Sequence, residues 1–108
     1  MKINDIATAF VRYLKFDDGK RRPILIVKVK NEFVLAFKIT SKFASKSKSV
    51  RKNYFEITQW KKANLKKPSW VNLNAQPLEF PIKMVGKSFG HLSEKDRVSF
   101  YEFLKKRY

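Results

Sequence analysis

The amino-acid sequence predicts a mainly β fold: a small, strongly curved barrel of about six or seven short strands, closed by a C-terminal α-helix. Ten Phe, four Tyr and two Trp give an aromatic content that favours strands over helices. Short apolar runs alternate with turn-forming Gly, Pro, Asn and Ser, and the last segment has a helical period. The 108 residues are expected to form a single domain over residues 1–108, large enough to bury about two thirds of its unfolded surface.

The first predicted element is ambiguous, and the two that follow it are clear. Residues 5–16 fit a helix by their apolar spacing and a strand by their aromatic and β-branched content. Asp17-Asp18-Gly19 predicts a turn. Residues 24–30 and 33–40 have the clearest strand patterns, and Asn31-Glu32 between them predicts a tight hairpin.

The middle of the chain changes character after the hairpin. Residues 41–53 alternate Ser with Lys and have almost no apolar periodicity, which predicts a mobile basic loop that cannot bury itself. The remaining predictions before the last helix are a strand at 54–57, one helical turn within 59–65, a strand at 70–73, a short or edge element at 78–80 between Pro77 and Pro81, and a last strand at 82–85.

The C-terminal segment carries the signals of an amphipathic helix. Ser93 is a suitable N-cap, Asp96 three residues later makes a variant of the capping box, and Glu94 suits the positive helix start. The apolar face predicted to pack on the sheet consists of Phe100, Tyr101, Leu104 and Tyr108.

The charge balance points to a polyanionic partner. Twenty-five Lys and Arg against nine Asp and Glu give a formal charge of +16 and a pI near 10.3. Net charges that serve solubility are usually about 2–8, so we expect a nucleic-acid partner, with an anionic membrane surface as a weaker alternative. The membrane alternative is weaker because the sequence has no strongly amphipathic basic helix.

Composition also excludes several kinds of site. The chain has no Cys and a single His, which excludes disulfides, a cysteine zinc site and a histidine cluster. Neither a signal peptide nor an apolar run of bilayer length is evident, so we expect a soluble, cytoplasmic protein. We expect no metal and no cofactor.

Candidate site residues lie at the two ends of the predicted hairpin. Pro23 opens the first strand where no ladder donor is yet needed, and it restricts the preceding Arg22 to extended geometry. Thr40-Ser41 closes the second strand, so a hairpin would bring Arg22 and this hydroxyl pair to the same edge. A guanidinium fork beside a hydroxyl suits a phosphate.

Five motifs resemble one known family. They are the basic loop and strand Gly-Lys-Arg-Arg-Pro-Ile-Leu-Ile-Val at 19–27, Ile-Thr-Ser at 39–41, Asn-Asp-Ile at 4–6, Pro-Ser-Trp-Val-Asn-Leu at 68–73 with Gln76, and Gly-Lys-Ser-Phe-Gly-His-Leu-Ser at 86–93. In this order and spacing they resemble the MazF/PemK family of toxin endoribonucleases of type II toxin–antitoxin systems, over nearly the whole chain. Asn4 stands where the family has glycine.

The resemblance implies a fold, an activity and partners. It implies an SH3-like barrel, a strand for residues 5–16, and metal-independent cleavage of single-stranded RNA to a 2′,3′-cyclic phosphate and a 5′-hydroxyl. Arg22 and Thr40 would be the catalytic residues, in a homodimer neutralised by an acidic antitoxin protein. The residues expected to bind RNA are Lys20, Arg21, Ser41, Lys42, Lys46, Lys48, Arg51 and Lys52.

Several alternatives stay open at this point. A nucleic-acid-binding barrel without catalysis fits the same charge and strands. Tyr54 and Trp60 suit base stacking and the core equally, whereas Trp70 is expected in the core. His91 could act as a general base, but it is far in sequence from Arg22, and a structural role is favoured.

Overall fold

A computed structural model describes residues 1–10 and 21–107. The predicted end of the first strand, the turn at 17–19, Lys20 and Tyr108 therefore lie outside the described residues. The elements are, in chain order, β1 (Asp5–Phe10), β2 (Arg21–Val29), β3 (Phe33–Thr40), α1 (Lys48–Arg51), β4 (Tyr54–Ile57), β5 (Ser69–Asn72), β6 (Leu78–Pro81), a 3₁₀-helix (Ile82–Met84), β7 (Gly90–His91) and α2 (Glu94–Lys105).

The seven strands found in the described ranges form one curled antiparallel sheet, a half-barrel, and α2 follows the last strand. The strand order is β4-β5-β3-β2-β1-β7, and β6 pairs with β3 beside this path. The predicted mainly β fold with a C-terminal helix is thus confirmed. The predicted hairpin is also present: β2 pairs with β3, and the Lys30 N–H donates to the Phe33 carbonyl across the turn, at 2.9 Å.

Two features of the central strands curve the sheet. In β2 the pairing with β3 shifts by one residue between Ile26 and Lys28, which is a bulge that bends the strand. Along its other edge β3 pairs first with β6, through residues 33–36, and then with β5, through Ile39 and Thr40. This edge of β3 therefore has a different partner strand at each end.

Both faces of the central strands are buried, which explains the continuous apolar run Ile24-Leu25-Ile26. One face packs under α2, where the Phe100 ring meets Phe37 and Phe55 edge-on, with ring centroids 6.4 and 5.1 Å apart. The opposite face holds a smaller cluster, whose buried members are Ala7, Ala9, Ile24, Ile26, Val34, Ala36 and Phe80.

The C-terminal helix begins as predicted, but two of its residues act differently from the prediction. The Ser93 hydroxyl accepts a hydrogen bond from the Asp96 N–H at 3.2 Å, which confirms the N-cap. Asp96 is fully buried and binds the chain after β4, so its predicted role in a capping box is wrong. Tyr101 is 61% exposed, and Phe103 instead packs on the core beside Phe100.

Two further predictions about the chain are wrong, and a third is incomplete. Residues 82–85 form a 3₁₀-helix and a single bridge from Val85 to Ala9, and the last strand is β7. Residues 41–53 have no buried side chain, as predicted, but they contain α1, capped by Ser47, and Phe43 stacks on Trp70. Trp70 is half-buried outside the core clusters, because alternation in β5 turns Ser69 and Val71 inward. No helix among the described residues is long and apolar enough to span a membrane.

Candidate nucleic-acid interface

An open cleft of about 900 Å³ lies where β2 begins and β3 ends. Its walls also include the chain after β3, residues 64–67 of the β4–β5 connection, and parts of β4 and β5. Seven basic residues line it: Arg21, Arg22, Lys38, Lys42, Lys46, Lys66 and Lys67. Among the described lining residues none is Asp, Glu or His. The concave, one-sign charge of this wall concentrates polyanions.

The strand register explains why Arg22 and Thr40 both line the cleft. The described β2–β3 pairing reaches Ile24 opposite Lys38, and two further residues on each strand lead to Arg22 and Thr40. Beyond that point each strand pairs with its other neighbour, since Arg22 lies opposite Ala9 on β1 and Thr40 opposite Trp70 on β5. The strands therefore part at these two residues. Both are half-buried and line the opening, as the hairpin argument predicts.

Arg21 is fixed to the neighbouring strand. Its Nε donates to the Thr8 hydroxyl and its Nη2 to the Thr8 carbonyl, both at 3.1 Å. Gly86 lies against the side chains of Thr8 and Arg21, and its N–H also donates to the Thr8 carbonyl, at 2.8 Å. The guanidinium is thus held on the cleft wall by two directional bonds, an arrangement that lysine could not reproduce.

The chain turns immediately after Thr40. The Thr40 hydroxyl oxygen accepts the backbone N–H of Lys42 at 3.0 Å, which forms a hydroxyl-capped turn. Because this bond uses the oxygen as acceptor, the hydroxyl hydrogen can be donated to an anion in the cleft. Ser41 and Lys42 follow on the wall, and Lys46 extends it.

The other described residues that were predicted to bind RNA lie outside the lining of the cleft. Lys48 and Lys52 are exposed on or next to α1, and the Lys52 carbonyl accepts a bond from Arg107. The Arg51 guanidinium lies 5.5 Å from the Phe43 ring centroid. Phe43 in turn stacks on Trp70, with centroids 4.6 Å apart and planes at 10°. Lys20 is not among the described residues.

Several lining residues were not predicted from the sequence. Lys66 and Lys67 belong to a connection that no strand motif marked, although a basic pair before a proline was visible. Lys38 and Asn72 sit within strands, where the sequence pattern gave them no special role. Tyr54, which had been left open between stacking and core, is 8% exposed and lines the cleft.

The two other residues considered as functional lie elsewhere. His91 is exposed on β7, opposite Asp5, and outside the lining. Trp60 is half-buried against the core, with the Lys61 ammonium 5.4 Å from its ring centroid. The described residues contain no cluster of three or more His, Cys, Asp or Glu.

No protein-family model matches the chain, and no curated protein matches it significantly.

Proposed function

We propose that the protein is a metal-independent endoribonuclease of the MazF/PemK type, which cleaves single-stranded RNA in the basic cleft. The observation that carries this proposal is the position of Arg22 and Thr40, which line one cleft together with six further Lys and Arg residues. The motif order in the sequence supports the same family, and the curled antiparallel sheet agrees with the fold that the family uses.

The chemistry follows from the two side chains. The RNA 2′-oxygen forms a bond to the adjacent phosphorus, and the bond from phosphorus to the 5′-oxygen breaks, which leaves a 2′,3′-cyclic phosphate. The Arg22 fork holds two phosphate oxygens as negative charge builds on them, and the Thr40 hydroxyl donates to the same group. The attacking 2′-hydroxyl loses one proton and the departing 5′-oxygen gains one, so the step is balanced. The described lining residues include no His, Asp or Glu to which these two transfers can be assigned.

Cleavage in a chelator tests the proposal. Purified protein is incubated with single-stranded RNA in EDTA, beside Arg22→Ala and Thr40→Ala variants. A Lys95→Ala variant is the control, because Lys95 is exposed on α2 and outside the lining. We expect cleavage by the wild type and the control, and its loss in both site variants. Intact RNA with the wild type, or cleavage that survives both site substitutions, contradicts the assignment.

A second candidate is a nucleic-acid-binding barrel without catalysis. The observation that favours it is the lack of a His, Asp or Glu among the described lining residues, because such side chains commonly transfer the protons in RNA cleavage. It predicts salt-dependent binding of RNA that is recovered uncut.

The proposed activity brings two partners with it. A homodimer would extend the RNA groove across two half-barrels, since one domain of this size offers little concave surface. A small acidic protein whose disordered tail enters the cleft would neutralise the enzyme, because the net charge of +16 attracts an acidic partner. Light scattering that gives a monomer mass at tens of micromolar opposes the dimer. Expression without growth arrest opposes the antitoxin, whereas a small acidic protein from the neighbouring reading frame that relieves arrest supports it.

A further inference from the structure

Asn72 is an uncharged polar residue in the wall of the basic cleft. It lies in β5, directly opposite Tyr54 of β4, and both residues line the cleft. Its side chain is half-buried, and the Tyr54 side chain is nearly fully buried. Proteins recognise unstacked RNA bases partly by hydrogen bonds to the base edges, and a carboxamide in the cleft wall can make such bonds.

The orientation of the Asn72 carboxamide is fixed. Its Oδ1 accepts the backbone N–H of Asn74 at 2.9 Å, and it also accepts from Asn74 Nδ2 at 3.1 Å. A backbone N–H can only donate, so the atom of Asn72 facing it must be the oxygen. The other end of the carboxamide, Nδ2, is consequently a donor, and no described residue accepts a hydrogen bond from it.

A series of hydrogen bonds that begins at Arg107, after α2, fixes the orientation of the Asn74 carboxamide that contacts Asn72. Arg107 donates to Asn53 Oδ1, and Asn53 Nδ2 donates to Asn74 Oδ1 at 3.0 Å. Asn74 Nδ2 also donates to the Val50 carbonyl at 3.2 Å. Arginine has no acceptor and a carbonyl has no donor, so the two ends of the chain fix every amide between them. If the Asn72 carboxamide were flipped, its NH₂ group would face the N–H and NH₂ donors of Asn74.

We propose that Asn72 reads the base in the cleft, and that its fixed Nδ2 donor selects bases with a keto oxygen over bases with an amino group. At the matching ring position uracil presents O4 as an acceptor, whereas cytosine presents a donor amino group. The Asn72 Nδ2 donor can form a hydrogen bond with uracil O4. Beside the amino group of cytosine the same donor would lose its water and gain no acceptor. This inference rests on the proposed function in one respect, that single-stranded RNA enters the cleft, and it does not depend on cleavage.

Binding of uncleavable RNA tests this selection. Short 2′-O-methyl oligonucleotides of uridine and of cytidine have pyrimidines of one size, and they cannot be cut because the attacking hydroxyl is blocked. Their affinities for the wild-type protein are measured by fluorescence anisotropy at one fixed salt concentration. We expect the uridine oligomer to bind about tenfold more tightly, as one well-placed base contact provides.

Two substitutions assign the preference to Asn72. Asn72→Ala removes the donor and should reduce the uridine-to-cytidine ratio to about one. Asn72→Asp places an acceptor there and should shift the ratio toward cytidine, while its negative charge weakens both oligomers. The matched control is Ser41→Asp, which adds the same charge at another half-buried lining residue and should weaken both oligomers with the ratio unchanged. Circular dichroism verifies that each variant is folded.

The outcomes separate the two proposals. Equal binding of the two oligomers, binding of neither, or a preference that persists in Asn72→Ala would overturn the role of Asn72. A preference that follows Asn72 supports it, even if the EDTA assay shows no cleavage and the endoribonuclease assignment fails. Cleavage by a protein that binds both oligomers equally would leave the enzyme in place and remove the base-reading role.

Discussion

Asp96 and Thr58 join the C-terminal helix to the chain that leaves β4. Asp96 Oδ1 accepts both the Thr58 backbone N–H, at 3.2 Å, and the Thr58 hydroxyl, at 2.7 Å. Its Oδ2 accepts the Gln59 N–H at 2.8 Å, so one buried carboxylate orders the start of the turn at 58–64. The other end of this turn is Asn64, whose Nδ2 donates to the Phe89 carbonyl at 2.7 Å. The lysines at 66 and 67 follow and line the cleft.

The first prediction concerns this carboxylate. Asp96→Asn should lower the free energy of unfolding by about 2–3 kcal/mol, because an amide NH₂ replaces an oxygen that accepts a backbone N–H in a buried site. Urea unfolding followed by circular dichroism measures the change. Glu94→Gln removes a charge from an exposed position in the same helical turn and should cost far less. Equal losses in the two variants would show that helix charge, and not the buried hydrogen bonds, matters here.

The second prediction compares two glycines. A Cβ at Gly90 would lie 2.0 Å from the Ala63 carbonyl oxygen, so Gly90→Ala must displace backbone and should cost about 3 kcal/mol of stability. A Cβ at Gly86 would lie 2.7 Å from the Thr8 hydroxyl and 2.9 Å from Arg21 Nη2, both side-chain atoms that can move. Gly86→Ala should therefore cost about 1 kcal/mol and weaken RNA binding by displacing Arg21. Thermal unfolding and anisotropy measure the two effects, and a larger loss of stability in Gly86→Ala would contradict the argument.

The third prediction separates charge from geometry at the proposed catalytic arginine. Arg22→Lys keeps the positive charge but loses the fork that holds two phosphate oxygens. Single-turnover cleavage should fall by about a hundredfold, whereas the affinity for uncleavable RNA should change little. Rapid-quench kinetics at saturating protein measures the first quantity and anisotropy the second. A parallel fall in both would mean that Arg22 binds the ground state and has no special role in the transition state.

The fourth prediction tests which lysines contact the RNA backbone. Lys66→Gln with Lys67→Gln removes two charges from the cleft lining, and Lys48→Gln with Lys52→Gln removes two exposed charges outside it. The first pair should reduce the slope of log affinity against log salt concentration by about 1.4, since each contact to single-stranded RNA contributes about 0.7. The second pair should leave the slope nearly unchanged. Equal slopes in the two double variants would show that net charge, and not the cleft, governs binding.

Several local elements of this protein could be predicted from the sequence, because their signals are short-range. The predicted bounds of β3 and β4 agree with the structure, the Asn31-Glu32 hairpin is present, and Ser93 caps the last helix. The hairpin also explains why Arg22 and Thr40 could be predicted to lie at the same edge, because antiparallel pairing places the start of one strand beside the end of the next. The charge of +16 likewise comes from composition alone.

Tertiary contacts decided the rest, because they join residues far apart in the chain. β7 has two residues and exists through its pairing with β1, so no periodicity could have marked it. Phe43 orders a segment of Ser and Lys by stacking on Trp70, and Asp96 serves a turn 37 and 38 residues away instead of its own helix start. The cleft acquires Lys66, Lys67 and a fixed Asn72 in the same way, through the curling of the sheet and through hydrogen bonds that reach Arg107. Sequence patterns specify which local structures can form. Which residues then pack on each side chain is determined by the tertiary structure, when the sheet curls and brings distant segments together.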